Sequence, residues 1–342
     1  MNRLLAAPSR PDSTAPDWRA DYRAAAMSAD TLLTRVGLDR GSLPYAIAET
    51  PFPVRVPPHF LSLIQRADPH DPLLAQVLAR AEEHIDDPTR HADPLDEASF
   101  IPARGVLRKY GSRALLLTTG ACAIHCRYCF RRHADYGAMV LPAGDHADAV
   151  AALAADPAIT EVILSGGDPL TLDDDRLAAL LHNLDAIPQL AIIRIHSRTL
   201  TTVPARVTPA LLATLAGLHT PVVIVTHTNH AQELDAVVAE ALGRLRGAGI
   251  TLLNQSVLLR GVNDSAAVIA AHAHQLFACG VLPYYMHMLD AVKGAGHFDV
   301  GLAEALGLEQ ALRDTLPGYL VPRFVREVPG RLAKTPIWQL AG

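Results

Sequence analysis

The sequence predicts an α/β fold, a partial (β/α)6 barrel of the TIM-like kind preceded by a helical extension and closed by a short C-terminal segment. Three observations carry this. Six short apolar runs recur at spacings of roughly 30 residues, the length of one βαβ unit. Amphipathic stretches with helical spacing lie between them. Nearly every apolar run ends in polar side chains, as expected where a parallel barrel assembles its site from several loops on one rim. A doubly wound open sheet is the alternative, which periodicity alone does not exclude.

In chain order, residues 1–16 are rich in Pro, Ser and Ala and are expected to be flexible. Residues 17–105 read as a helical N-terminal region. Its stretches "DWRADYRAAAMSADTLLTRVGL" and "DPLLAQVLARAEEHI" have helical spacing, whereas "ETPFPVRVPPHF" has too many prolines for a regular element. The barrel is expected over 106–320. Its strands are "ALLLTT" (114–119), "EVILSGG" (161–167), "LAIIRIHS" (190–197), "PVVIVTH" (221–227), "TLLNQSVLL" (251–259) and "VLPYYMHM" (281–288). Such continuous runs are strands buried on both faces. The helices between them include "DDDRLAALLHNLDAI", "TPALLATLAGL", "AQELDAVVAEALGRLRGAG" and "NDSAAVIAAHAHQLFACG", several with acids or capping residues at the start and glycine at the end. Residues 321–342 form the C-terminal segment.

Composition limits the function classes. The chain has 342 residues, half of them hydrophobic, and a net charge of -5, so neither nucleic acid nor an anionic membrane surface is an expected partner. No apolar run approaches the roughly 20 residues that span a bilayer, and "MNRLLAAPSRPDSTAPDW" breaks at a proline too early for a signal peptide. A cytoplasmic protein is expected. The oligomeric state is left open, a homo-oligomer included.

Three of the four cysteines, Cys122, Cys126 and Cys129, fall within "TTGACAIHCRYCFRRH". Four cysteines are too few for a disulfide scaffold, and clustered thiolates are soft ligands for zinc or iron–sulfur iron. Zinc with His125 or His133 as fourth ligand stays open at this point. A [4Fe–4S] cluster held by three thiolates, with one iron left accessible, is the other reading. Cys279, alone in a helical stretch, reads as a small buried hydrophobe.

The pattern C-x3-C-x-aromatic-C, with Tyr128 as the aromatic, followed by "SGGDP" (165–169) at the next strand end, resembles the signature of the radical S-adenosylmethionine (SAM) enzymes. The resemblance extends to the lysine 2,3-aminomutase family over about 93–337. It rests on "RKYGSRALLLTT", "CRYCFRR", "LSGGDPL", "RIHSRT", "THTNH", "NQSVLLRGVND", "PYYMHMLD", "PGYLVPRFVREVPG" and "KTP". It implies a [4Fe–4S] cluster on Cys122, Cys126 and Cys129, SAM on the open iron, and pyridoxal 5′-phosphate (PLP). SAM would meet Tyr128, Ser165, Gly166, Gly167, Asp168, Ser197, Arg198, His227 and Gln255. PLP would be joined to Lys334, with Lys109, Tyr110 and Arg113 at its phosphate. Lys109 stands where arginine is usual, and the glycine run before the PLP lysine is reduced to Gly330. Arg131 would pair with the substrate carboxylate, and Asp290 and Glu327 with the distal ammonium of lysine. Glu327 replaces the usual aspartate.

The implied reaction is the conversion of L-α-lysine to β-lysine, through hydrogen abstraction by a 5′-deoxyadenosyl radical, with flavodoxin or ferredoxin as electron donor. Glu327 and the short stretch after Lys334 resemble the branch that supplies (R)-β-lysine for elongation factor P through a partner lysine ligase. A metabolic lysine 2,3-aminomutase is the nearest alternative. A non-catalytic barrel using iron–sulfur or zinc structurally, as a binding module, and an ordinary PLP lyase are the readings from other classes. The first would need only the cysteines, and the second would leave them without purpose.

Overall fold

The computed structural model describes residues 17–140 and 146–340, so the expectation of a flexible 1–16 lies outside the described residues. The N-terminal region contains α1 (Trp18–Ala24), α2 (Ala29–Val36), α3 (Pro58–Leu63) and α4 (Pro72–Ala75). The two long helical stretches expected there are shorter than their periodicity implies. The first breaks at Ser28, whose hydroxyl caps α2 by accepting from Thr31 N–H, while Ala26 bridges to Arg55. The second leaves the helix after α4 because Ala46 and Ala79 carbonyls and Ala48 and Ala81 amides pair across two strand-like segments. Long-range backbone pairing overrides local propensity here.

A short strand β1 (Val106–Leu107) leads into β2 (Arg113–Thr119). After β2 come the cysteine loop, α5 (Tyr136–Met139) and α6 (Ala147–Ala154). The rest alternates: β3 (Glu161–Gly166), α7 (Asp174–Asp185), β4 (Ile192–Ser197), α8 (Thr199–Thr202), α9 (Pro209–Ala216), β5 (Val222–His227), α10 (Ala236–Gly247), β6 (Thr251–Val257), α11 (Ala266–Ala278), β7 (Leu282–His287), α12 (Leu302–Thr315), β8 (Arg323–Arg326) and β9 (Thr335–Pro336). The capping residues act as expected. Asp173, Thr208, Asp235 and Ser265 accept from the first-turn amides of α7, α9, α10 and α11.

The strands follow sequence order across one sheet, with β2 to β8 parallel and β1 and β9 antiparallel at the two edges. This is the expected partial barrel, left open. Besides the two-residue edge strands β1 and β9, a seventh parallel strand was missed: β8 extends the six and lies inside the segment assigned to the C-terminus. Its four residues "RFVR" carry an arginine at each end, and only Phe324 and Val325 are buried, which is too little for an apolar-run signal. β9 turns back on β8 and places Lys334 beside Glu327.

The main core lies between the sheet and the surrounding helices, and Cys279 belongs to it. A second core joins the N-terminal helices to Ile124 and Cys126 of the cysteine loop. No helix among the described residues is long and apolar enough to cross a membrane.

Candidate active site

At the C-terminal ends of the parallel strands lies a cavity of about 350 Å³. Every residue that the resemblance assigns to the cluster, SAM, PLP or substrate lines it, whereas His125 and His133, the alternative zinc ligands, turn to the Pro53 and Lys293 carbonyls. The three thiols belong to the loop after β2, Ser165 to Asp168 end β3, and Ser197 and Arg198 end β4. His227 and Gln255 lie on β5 and β6, Asp290 follows β7, Glu327 follows β8, and Lys334 precedes β9. Lys109 and Tyr110 come from the connection between β1 and β2, and Arg113 opens β2.

The cysteine loop is fixed from the N-terminal side. Glu83, buried, accepts from Arg127 Nε at 2.8 Å and from Arg132, so two arginines inside the loop converge on one carboxylate. Arg55 donates to Cys122 O at 2.8 Å. Among the described residues no three His, Cys, Asp or Glu side chains converge on a point that would hold a single metal ion. The three thiols instead share one wall of the cavity, as a multi-iron cluster requires. Burial pushes the Cys122 thiol well up and the Cys129 thiol to about 11, and repulsion between neighbouring thiolates adds to both. Neighbouring thiolates that repel one another call for cationic metal to neutralise them. The donor set fits a three-thiolate iron–sulfur site.

The resemblance sets Gly166 and Gly167 against SAM, where lack of a side chain would let the backbone approach a ligand. The structure gives a nearer reason. A Cβ on Gly167 would stand 2.3 Å from Ala121 O, and one on Gly166, whose φ is +110°, 2.5 Å from Thr119 O. The glycines bring the end of β3 against the start of the cysteine loop. Asp168 is consumed by its own chain. It accepts from Ser197 Oγ at 2.9 Å, from Leu170 N–H at 3.0 Å, and from the Arg198 and Thr199 amides at 2.8 Å each.

Tyr128, the motif aromatic, is the hub of a buried network. Its hydroxyl meets Asn229 Nδ2 at 2.6 Å, His227 Nε2 at 2.8 Å, Gln76 Oε1 at 3.3 Å and Arg198 Nη1. Burial pushes His227, His196 and His287 below the usual histidine range, the last to about 3. These imidazoles are neutral at pH 7 and add no competing cations. His196 Nε2 is buried without a partner in the cavity wall, a polar atom open to a ligand.

Toward the other end, Glu327 collects two hydrogen-bond donors, Lys334 and Tyr110, and an ion-pair partner, Lys109. Lys334 Nζ stands 2.7 Å away, Tyr110 OH 2.8 Å and Lys109 Nζ 3.0 Å. Burial would raise this carboxyl, but Lys334 and then Lys109 and Tyr110 hold it down at about 2. Asp290 is the opposite case. Burial lifts it to about 7, Lys334 offsetting only part of the effect. Arg113 lies over the Tyr110 ring and reaches Glu161 only at 4.0 Å, so a cationic edge remains for an anionic group such as a phosphate. Lysine, arginine and tyrosine around a loosely committed cation suit PLP.

Arg131 is where the sequence reading was incomplete. Its guanidinium pairs with Glu97 in a fork, Nε and Nη2 each at 2.7 Å, while Nη1 donates to Ser165 Oγ at 2.9 Å. Glu97 sits in a polar loop stretch with no periodic signal, and its partner is 34 positions away. Gln76, Asn229 and Glu233 were missed because their partners, Arg198 and Tyr128, are also distant in sequence. Arg194, which lines the cavity and pairs with Glu161, reads in sequence as an ordinary strand charge.

The radical SAM superfamily profile matches residues 116–272. The chain is 43% identical over 324 residues to the L-lysine 2,3-aminomutase of Escherichia coli (strain K12), covering 94% of each chain. It is 39% identical to that of Haemophilus influenzae, over 93% of this chain and 95% of the relative. To the L-lysine 2,3-aminomutase of Clostridium subterminale it is 37% identical over 283 residues, 82% of this chain and 68% of the relative. With its thiol wall, glycine-paired strand end and cationic C-terminal hairpin set around one cavity, the chain belongs to the lysine 2,3-aminomutase family of radical SAM enzymes.

Proposed function

We propose that this protein converts L-lysine to β-lysine using a [4Fe–4S] cluster, SAM and PLP. The observation that carries the reading is one cavity holding Cys122, Cys126 and Cys129 on one wall and Asp290, Glu327 and Lys334 on another, with Arg131 beside the thiols. When bound, the three groups supply one-electron chemistry at carbon and a carrier for the migrating nitrogen.

The chain's own residues orient the substrate. Glu97 covers one edge of the Arg131 guanidinium, so a substrate carboxylate meets the terminal edge and shares it with Ser165. Asp290, with no side-chain hydrogen bond of its own among the described contacts, receives the distal ammonium; Lys334 would hold PLP, which would leave Glu327 free to supply the second carboxylate. Two carboxylates offset the cost of burying a cation. Lys109, Tyr110 and Arg113 take the PLP phosphate. His227, Gln255, Ser165 and Ser197 with the Gly166–Gly167 strand end face SAM, and Tyr128 holds the His227 ring at 2.8 Å. As a cover, the N-terminal region packs its helices on the cysteine loop and adds Leu95 and Glu97 to the cavity lining, which would help exclude water and oxidants.

The finer reading is that the product is (R)-β-lysine destined for elongation factor P through a partner ligase. Glu327 in place of the usual aspartate supports it. The test is anaerobic reconstitution with iron, sulfide, PLP, SAM and reductant, followed by product analysis on free lysine. β-Lysine should form, and Lys334→Ala should lose the absorbance of lysine-bound PLP. Loaded protein without product would sink the function, and retained absorbance in the variant would move the PLP lysine elsewhere. Chiral analysis and transfer to elongation factor P by its ligase test the finer reading.

A further inference from the structure

Arg198 follows β4 and is buried; the resemblance sets it beside SAM, and its own contacts add a second direction. Its backbone amide is tied to Asp168. Its Nη2 is gripped by two acceptors, Gln76 Oε1 at 2.8 Å and Glu233 Oε2 at 3.0 Å. Gln76 and Glu233 are themselves fully buried, and Glu233 also accepts from Asn229 N–H at 2.8 Å. The Phe60 ring lies 5.4 Å from the guanidinium carbon. Held at both ends, the side chain points Nη1 at Cys126 Sγ, 2.7 Å away, and at the Tyr128 hydroxyl. A guanidinium with its charge already matched by Glu233 is not needed here for charge balance. Its orientation is the distinctive feature.

We propose that Arg198 is a positioning residue that sets the redox behaviour of the iron–sulfur cluster through a charge-assisted hydrogen bond to the Cys126 thiolate. The proposal rests on the cluster assignment above. Hydrogen bonds to ligand sulfurs are a principal control of cluster potential. Reduction adds one electron, delivered by a low-potential one-electron reductant, and no proton. The reduced cluster carries one more negative charge, so a donor on Cys126 stabilises it more than the oxidised form. Gln76 belongs to the N-terminal region and Glu233 to the loop after β5, so this single bond is set by three separate parts of the fold.

The test is a mediated redox titration of the reconstituted protein, followed by electron paramagnetic resonance, with iron and sulfide content measured in parallel. Arg198→Met with Glu233→Gln removes the donor and its buried counter-charge together, which leaves net charge unchanged and no buried ion unpaired. The expected result is at least a tenfold shift toward the oxidised cluster, about 59 mV more negative for one electron. Arg198→Lys, keeping a cationic donor, should lie between the two. Equal loading with an unchanged potential overturns the proposal and leaves the cysteine assignment standing. A wild-type protein that takes up no cluster overturns that assignment and the proposal with it. If the double variant does not load, wild-type protein labelled with 15N-arginine decides. Pulsed resonance of the reduced cluster should show a 15N coupling that Arg198→Lys removes, and its absence overturns the proposal.

Discussion

Asp290 and Glu327 are two carboxylates in one cavity pushed in opposite directions. Glu327, held near 2, contributes stability above the ordinary glutamate range that is lost as pH falls from about 4.5 toward 2. Asp290, raised to about 7, has the reverse sign. Between about 4 and 7 the unfolded chain has already released this proton while the folded protein keeps it, so raising pH favours unfolding. Asp290→Asn should therefore stabilise the ligand-free protein at pH 7.5 by roughly 2–4 kcal/mol, with the gain vanishing below about pH 4. Thermal unfolding across that range checks it. The same variant should bind lysine far more weakly. In the wild type, an incoming ammonium ionises Asp290, so lysine affinity should rise up to tenfold per pH unit below pH 7. Calorimetry in buffers of different ionisation heat should show proton release. The sequence motif located both acids, but their opposed titration comes from burial and from Lys334, which no local pattern encodes.

At the scale of elements, the junction between β3 and the cysteine loop is the tightest contact near the site. Gly167→Ala should cost about 1–3 kcal/mol by forcing the two backbones apart, measurable by denaturant unfolding. It should also lower iron content after reconstitution, because the loop carrying the thiols is what gives way. Unchanged stability and iron content would show that the contact relaxes freely. The six expected strands were legible as apolar runs; "EVILSG" is buried on both faces, whereas β6 alternates and β7 is only half-buried along most of its length. β8 was not, since "RFVR" has the look of a polar linker and is made a strand by β7 beside it. The helices after the cysteines were legible through their caps, whereas Ala79 and Ala81 were drawn out of a helical pattern by pairing with Ala48 and Ala46. The glycines of "SGGDP" were legible as a close approach, but not what they approach.

For the whole molecule, the N-terminal region is part of the site's wall. Glu83 accepts from Arg127 and Arg132, and Gln76 touches both Tyr128 and Arg198. Glu83→Ala leaves two buried guanidinium groups without their carboxylate and should destabilise by about 3–5 kcal/mol. Hydrogen exchange should locate the loss in residues 46–85 and the cysteine loop together. Exchange confined to the N-terminal side would show that the cover and the loop are independent. These partners lie 44 or more positions apart in sequence, so the docking of the cover was beyond what spacing reveals.

The antiparallel hairpin of β8 and β9 has one more consequence. Glu327 and Lys334 lie within the last 16 residues, while all three thiols lie before residue 130. On the proposed function, the thiols and two of the groups that hold the substrate and PLP are thus written at separate places along the chain. A single cut between α12 and β8 would leave a fragment that keeps its thiols, Arg131 and Asp290 but has lost Glu327 and Lys334. Integrity of the final hairpin is therefore a safeguard for the rest of the protein as well as a condition for turnover.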